Sequence, residues 1–202
     1  MLRNGLFILL LVCQTNPGNG QQIPKPLDVI SYVFDLTVND SNDSLIAIAT
    51  IHFKVLETIQ SVTFDLATER PNKKGMFVTQ VKDATASLAY QHENNQVKIN
   101  LPQPVNQGEE KTLSIYYRGI PADGLIIAKN KYNRRTFFAD NWPNRARNWI
   151  PCVDHPADKA AVDFKVKAPV HYQVVANGVQ VEETNLADNK KLTHWREDVP
   201  LP

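Results

Sequence analysis

From Ile30 onward, apolar and polar positions alternate with a period of two. Tyr32, Phe34, Leu36 and Val38 are set against Ser31, Asp35 and Thr37; Ala47, Ala49, Ile51, Phe53 and Val55 are set against Thr50, His52 and Lys54. Successive side chains of an extended chain point to opposite faces, so each run predicts a strand with one row on a core and one row in water. The pattern returns at Val97, Ile99 and Leu101, at Leu113, Ile115 and Tyr117, and at Val162, Phe164 and Val166. Turn signals separate the runs at Asn94-Asn95, Pro102 to Gly108, Pro121 to Gly124, Asn177-Gly178 and Asp188-Asn189. The reading is an all-β antiparallel protein. Asn177-Gly178 is its sharpest predicted hairpin, joining a strand ending near Ala176 to one beginning at Val179, because both residue types tolerate positive φ. The best helical candidate is the short stretch from Pro156 to Ala161, with Asp154 upstream as its cap.

Length and composition fit this picture. A chain of 202 residues, 43% hydrophobic and 21% charged, has the make-up of a globular domain, and one of this size buries roughly 70% of its unfolded surface. The first residues, MLRNGLFILLLVCQ, carry one cation and then seven apolar residues from Leu6 to Val12. That run is too short to span a bilayer of roughly 30 Å but suits a secretory signal. The expected organisation is a signal over residues 1–20, cut before Gln21, then one domain over 21–202, exported to a periplasmic or extracellular space. A lipid anchor on Cys13 is the lesser alternative, since Val12 stands where such signals place a small residue. Cleavage removes Arg3 and Cys13, which takes the formal charge from +1 to 0 and leaves Cys152 as one thiol. A lone thiol reads as a buried core residue. A near-neutral chain gives no global reason to bind nucleic acid or to insert stably in a membrane. The one local exception is Lys129 to Arg147, where six cations interleave with Tyr132, Phe137, Phe138 and Trp142.

Chemistry is sparse. Hydrolytic zinc of the thermolysin type needs two histidines one helical turn apart with a glutamate between them. The five histidines, His52, His92, His155, His171 and His194, come no closer than sixteen residues. Cys152, Asp154 and His155 are crowded on one short segment whose side chains point to alternate faces, so they are not expected to converge on a metal. Asp154 is expected instead to accept hydrogen bonds from the turn that follows it. No glycine-framed serine, phosphate loop or dinucleotide fingerprint can be written, and Glu109-Glu110 and Glu182-Glu183 read as solvated pairs. Asn39-Asp40-Ser41 and Asn42-Asp43-Ser44 match the glycosylation acceptor pattern, which matters in a eukaryotic source.

Four ordered motifs carry a resemblance. WIPCVDHPADKA, Trp149 to Ala160, is followed by VVANG, Val174 to Gly178, by His194-Trp195 and by Pro200, and all are preceded by the loop Phe137 to Arg147. This order resembles the N-terminal β-domain of the aminopeptidase N and leukotriene hydrolase family of zinc metallopeptidases. The resemblance implies a saddle-like β-sandwich that walls one side of an active-site cleft, with zinc and the catalytic residues in a separate domain downstream. It implies no cofactor in this chain, and as partners that catalytic domain and the N-terminus of a peptide substrate. The family's loop bears a Gln or Glu near the substrate's free amine, and that position falls at Trp142. Asp140 and Asn141 are the nearest acceptors, so the substrate-binding candidates are Asp140, Asn141 and Trp142; the rival reading is that Asp140 and Asn141 only shape the loop. Trp149 and Trp195 are expected in strands, as core or interdomain contacts with their indole N–H groups bonded to backbone. The leading expectation is a non-catalytic N-terminal domain of a zinc metalloaminopeptidase, as a fragment. The alternative is a stand-alone secreted β-sandwich that binds peptide, protein or glycan.

Overall fold

The computed structural model describes residues 26–202; the expected signal, its cleavage point and Cys13 lie outside them. The strands are β1 (Leu27–Thr37), β2 (Leu45–Val55), β3 (Ile59–Asp65), β4 (Gly75–Lys82), β5 (Tyr90–Glu93), β6 (Gln96–Val105), β7 (Glu110–Ile120), β8 (Leu125–Lys129), β9 (Arg135–Ala139), β10 (Ala160–Pro169), β11 (Val179–Leu186) and β12 (Lys190–Leu201), with one 3-10 turn at Ala146–Asn148. They form a seven-stranded sheet in the order β11-β12-β10-β1-β2-β7-β4, a three-stranded sheet β3-β6-β5 and the hairpin β8-β9. The all-β sandwich class is therefore present. Among the described residues no helix is long and apolar enough to cross a membrane.

The alternating rows locate the core. Tyr32, Phe34 and Leu36 on β1, Ala47, Ala49, Ile51 and Phe53 on β2, and Leu113, Ile115 and Tyr117 on β7 are all buried on the inner face of the large sheet. Val62 and Phe64 on β3 and Val97 and Ile99 on β6 bury against it from the small sheet. The two layers interlock where the rings of Phe53 and Phe64 meet edge to face, 5.8 Å between centroids. A period of two survives only if the register holds, and β1 contains a break. Its buried residues are Leu27 and Val29, then Tyr32 and Phe34, a change of phase. A bulge between Val29 and Ser31 makes the change, with Ile30 as the extra residue turned outward at 37% exposure. The bulge keeps Tyr32, Phe34 and Leu36 on the same core side as Leu27 and Val29.

Three sequence expectations change. The fold is not wholly antiparallel: β1 and β10 run parallel, with Tyr32 opposite Val162 and Phe34 opposite Phe164. A parallel neighbour needs a crossover, and here the whole chain from Val38 to Lys159, β2 included, supplies it. Asn177-Gly178 is not a hairpin turn, because the segment before it, residues 171–178, forms no strand. The tight hairpins fall at Asn94-Asn95, between β5 and β6, and at Asp188-Asn189, between β11 and β12; all four residues have φ between 51° and 59°. Gly178 is required for another reason: with φ at +84°, a β-carbon there would lie 1.9 Å from the Arg196 carbonyl oxygen. Residues 156–161 form no helix. Pro156 and Ala157 make a turn and Ala160 already begins β10, because parallel pairing with β1 captures the chain before a helical turn can close.

A charged cluster fastens β10 to β12. Asp163 accepts hydrogen bonds from His194 Nε2 and, at 3.0 Å, from Arg196 Nε. Burial opposes ionisation of Asp163, but these two bonds and the cations behind them outweigh it and hold the carboxyl below its ordinary range.

Two outcomes are expected. Phe53→Ala removes the ring that interlocks the layers and costs about 3–5 kcal/mol in urea unfolding. A depressed folded-state pKa contributes stability that is full above the unfolded Asp value, about 3.9, and is lost as pH falls through the lower folded value. Asp163→Asn should therefore flatten the acid limb of a stability–pH curve below about pH 4.

Candidate functional site

The segment from Pro121 to Asp158 lies over the β1–β10 half of the inner face and makes the candidate site. Its anchors are backbone groups. The amides of Asp65 and Cys152 each donate to the other's carbonyl, at 2.8 and 3.1 Å, and Ala67 N donates to Arg147 O at 2.7 Å. Val153 N donates to the Tyr32 hydroxyl oxygen at 3.0 Å, and Val29 N donates to Asp158 Oδ1 at 3.1 Å. Burial pushes the Tyr32 phenol well above its ordinary pKa, so the hydroxyl stays neutral while it accepts this bond. Cys152 is buried, as a core residue.

Asp154 does not serve the turn that follows. Its Oδ2 accepts from Arg147 Nε at 2.7 Å and from Arg147 N at 3.3 Å, and its carbonyl accepts from Arg147 Nη2 at 3.1 Å. A half-buried guanidinium needs an anion close by, and Asp154 supplies it. The following turn is held by His155, whose Nδ1 accepts from Ala157 N at 3.2 Å. This also settles how Cys152, Asp154 and His155 stand toward a metal: the thiol is in the core, the carboxylate is paired with Arg147 and the imidazole is engaged by backbone. These residues do not fit a zinc site, and among the described residues no group of three or more His, Cys, Asp or Glu side chains could hold a metal.

The loop Asp140–Trp142 follows β9 directly. Asp140 N donates to Gly124 O at 2.7 Å, which closes the base of the β8-β9 hairpin. Arg145 then locks the loop: Nη2 pairs with Asp140 Oδ2, Nη1 lies 3.6 Å from Asp123 Oδ1, Nε donates to Trp142 O at 2.8 Å, and its backbone N donates to Asn141 O at 2.9 Å. Asn141 Oδ1 accepts the indole N–H of Trp149 at 2.9 Å. Asp140 and Asn141 are therefore both committed inside the loop. The Trp142 side chain is not: the residue is 77% exposed.

Trp142 stands at the mouth of a cavity of about 250 Å³. Tyr32, Phe34, Ile150, Val162 and Phe164 give it apolar walls, and Asn141, Asp154, His155 and Asn177 bring polar groups to it. A second cavity of about 240 Å³, lined by Leu36, Leu125, Phe137, Val166 and Tyr172, lies under the β8-β9 hairpin, and Phe164 lines both. Trp149 and Trp195 divide the expectation made for them. Trp195 is on β12 and bonds the Val174 carbonyl at 3.1 Å. Trp149 is buried but sits at the end of the 3-10 turn rather than in a strand, and it bonds a side chain.

The role of Arg145 was not read from the sequence. The run Lys129 to Arg147 looked like one basic stretch, yet Arg135 pairs with Asp43, Arg145 with Asp140 and Arg147 with Asp154. The i, i+5 spacing of Asp140 and Arg145 was a usable signal, since a loop that turns back on itself brings such residues together.

Geometry of this kind defines a class: a β-sandwich domain that presents a fixed loop and an apolar recess, without an assembled set of reacting groups among the described residues. The chain belongs to the family of peptidase M1 N-terminal domains, whose model matches residues 29–202. It is similar in structure to the M1 zinc metallopeptidase of Deinococcus radiodurans, with TM-score 0.75 and 26% identity over 88% of this chain and 40% of that one. It also shares its fold with yeast LTA4 hydrolase in complex with bestatin, with TM-score 0.70 and 20% identity over 88% of this chain and 27% of that one. In sequence it is 26% identical over 126 residues to the "Probable aminopeptidase 2" of Sulfurisphaera tokodaii, covering 61% of this chain and 15% of that protein. The chain thus spans less than half the length of each of these relatives.

Arg145→Ala is expected to release the loop. It leaves Asp140 without its partner and Trp142 O without a donor, and because these groups are partly exposed the stability cost stays near about 1 kcal/mol. The readout is local: amide exchange at residues 140–142 should quicken while the exchange of β1 is unchanged.

Proposed function

We propose that this domain is the non-catalytic N-terminal wall of a zinc metalloaminopeptidase, an enzyme that releases N-terminal amino acids from peptides with zinc held by a separate catalytic domain. The observation that carries the reading is the family match over residues 29–202, which runs through both the loop and the cavity. The zinc belongs to the partner domain, because Cys152, Asp154 and His155 are engaged elsewhere. On this reading the catalytic domain covers the apolar groups now in solvent, among them Phe138, Val175, Val179 and Val199, whose exposure is costly in isolation.

Within the site, Asp140 and Asn141 hold the loop and Trp142 meets the substrate. An α-ammonium leaving water needs a compensating group, and the face of an exposed indole supplies one through its quadrupole. Export is part of the proposal. It rests on the apolar run Leu6 to Val12 behind Arg3, with delivery to a periplasmic or extracellular space.

The test is direct. The purified 202-residue chain should hydrolyse no amino acid arylamide and retain far less than one zinc per chain after dialysis. Turnover with stoichiometric zinc would overturn the proposal. The coding DNA downstream of Pro202 should encode His-Glu-x-x-His in frame, and a gene without it would favour the stand-alone binding module. In the two-domain protein, Trp142→Ala should raise KM for peptides roughly tenfold with kcat little changed.

A further inference from the structure

Asn177-Gly178 has lost its expected part as a hairpin, and the structure gives the pair a different chemistry. Asn177 is exposed, in a segment without regular secondary structure, and it is one of the residues that line the first cavity. Its carboxamide makes no hydrogen bond among the described residues. In this it differs from Asn39, Asn42, Asn130, Asn141 and Asn148, which each use theirs to hold a turn or a neighbour. The next residue is the one fixed by geometry. Any β-carbon at 178 would collide with the Arg196 carbonyl, so the fold retains glycine behind Asn177.

We propose that Asn177 is a site of spontaneous modification, where the side chain reacts with its own backbone and becomes a carboxylate. The Gly178 amide nitrogen attacks Cγ of Asn177. An N–Cγ bond forms, the Cγ–Nδ2 bond breaks, and the nitrogen leaves as ammonia carrying the proton given up by the Gly178 amide. Water then opens the five-membered imide at one of its two carbonyls. One route gives aspartate; the other gives isoaspartate, in which the main chain runs through the β-carbon. The balance is asparagine plus water to aspartate or isoaspartate plus ammonia, with no oxidant and no cofactor.

Three observations favour this position. Glycine next in sequence offers no side chain to block the approach of the nitrogen. The free carboxamide loses no hydrogen bond on cyclising. The segment 171–178 lies outside the sheet ladders, so the local backbone shift that ring closure requires breaks no strand pairing. Among residues 26–202 it is the one Asn-Gly pair; Asn4-Gly5 and Asn19-Gly20 lie outside the described residues. The product adds an anion to the lining of the cavity and lowers the formal charge of the chain from +1 to 0. The isoaspartate form also adds one carbon to the backbone just ahead of Val179, the first residue of β11.

Incubation of the folded chain at mildly alkaline pH, followed by peptide mapping, decides the matter. The expected result is a gain of about 1 Da on the peptide containing Asn177, with an isoaspartate fraction detected by isoaspartate-specific methyl labelling. It should form faster than conversion of any other asparagine in residues 26–202, because the glycine that follows leaves the attacking nitrogen unobstructed. Asn177→Gln should abolish the signal while preserving the near-ultraviolet circular dichroism. The proposal is overturned if Asn177 stays intact in the folded chain over a period in which the urea-unfolded chain converts it, or if another asparagine of residues 26–202 converts first.

Discussion

The whole domain is referred to β1. This strand pairs with β2 on one edge and, in parallel, with β10 on the other, so it joins residues near the start of the described chain to residues more than a hundred positions later. The same strand supplies the Tyr32 oxygen that accepts the Val153 amide and the Val29 amide that finds Asp158. Register along β1 thus fixes the large sheet and the covering segment together. The bulge at Ile30 matters for that reason. Without it the apolar row would change faces partway along the strand, and Tyr32 would point away from the segment it anchors.

Once that frame is set, charge pairing completes the surface. Three arginines of the basic stretch each meet a carboxylate: distant Asp43, Asp140 within the stretch, and Asp154 just beyond it. Their work is positional. Arg147 ties the 3-10 turn to Asp154, while Arg145 gathers Asp123, Asp140 and the Trp142 carbonyl into one loop. Such a loop is suited to meeting a partner with little ordering cost on contact. It leaves an indole in water at the edge of an apolar recess.

The two acceptors of the loop are held from within it and beside it: Arg145 pairs with Asp140, and the Trp149 indole donates to Asn141. Asp140 and Asn141 were legible as candidates from residue type alone. Their engagement was not, since it depends on two partners, five and eight residues on, whose directions only the folded loop sets.

What the sequence by itself determined is the set of rows. Alternation at Tyr32, Phe34 and Leu36, at Ala49, Ile51 and Phe53, and at Leu113, Ile115 and Tyr117 is a local property, and each row went to the core. Asn94-Asn95 and Asp188-Asn189 were equally local, because positive φ is a property of the residue. Tertiary structure decided the pairing: the parallel ladder of β1 with β10, the capture of residues 160–161 by a strand, and the placing of Gly178 against the Arg196 carbonyl. Period-two alternation states which face of a strand is buried but carries nothing about which strand lies beside it. That choice is made by long-range backbone hydrogen bonds and by the shape of the shared core.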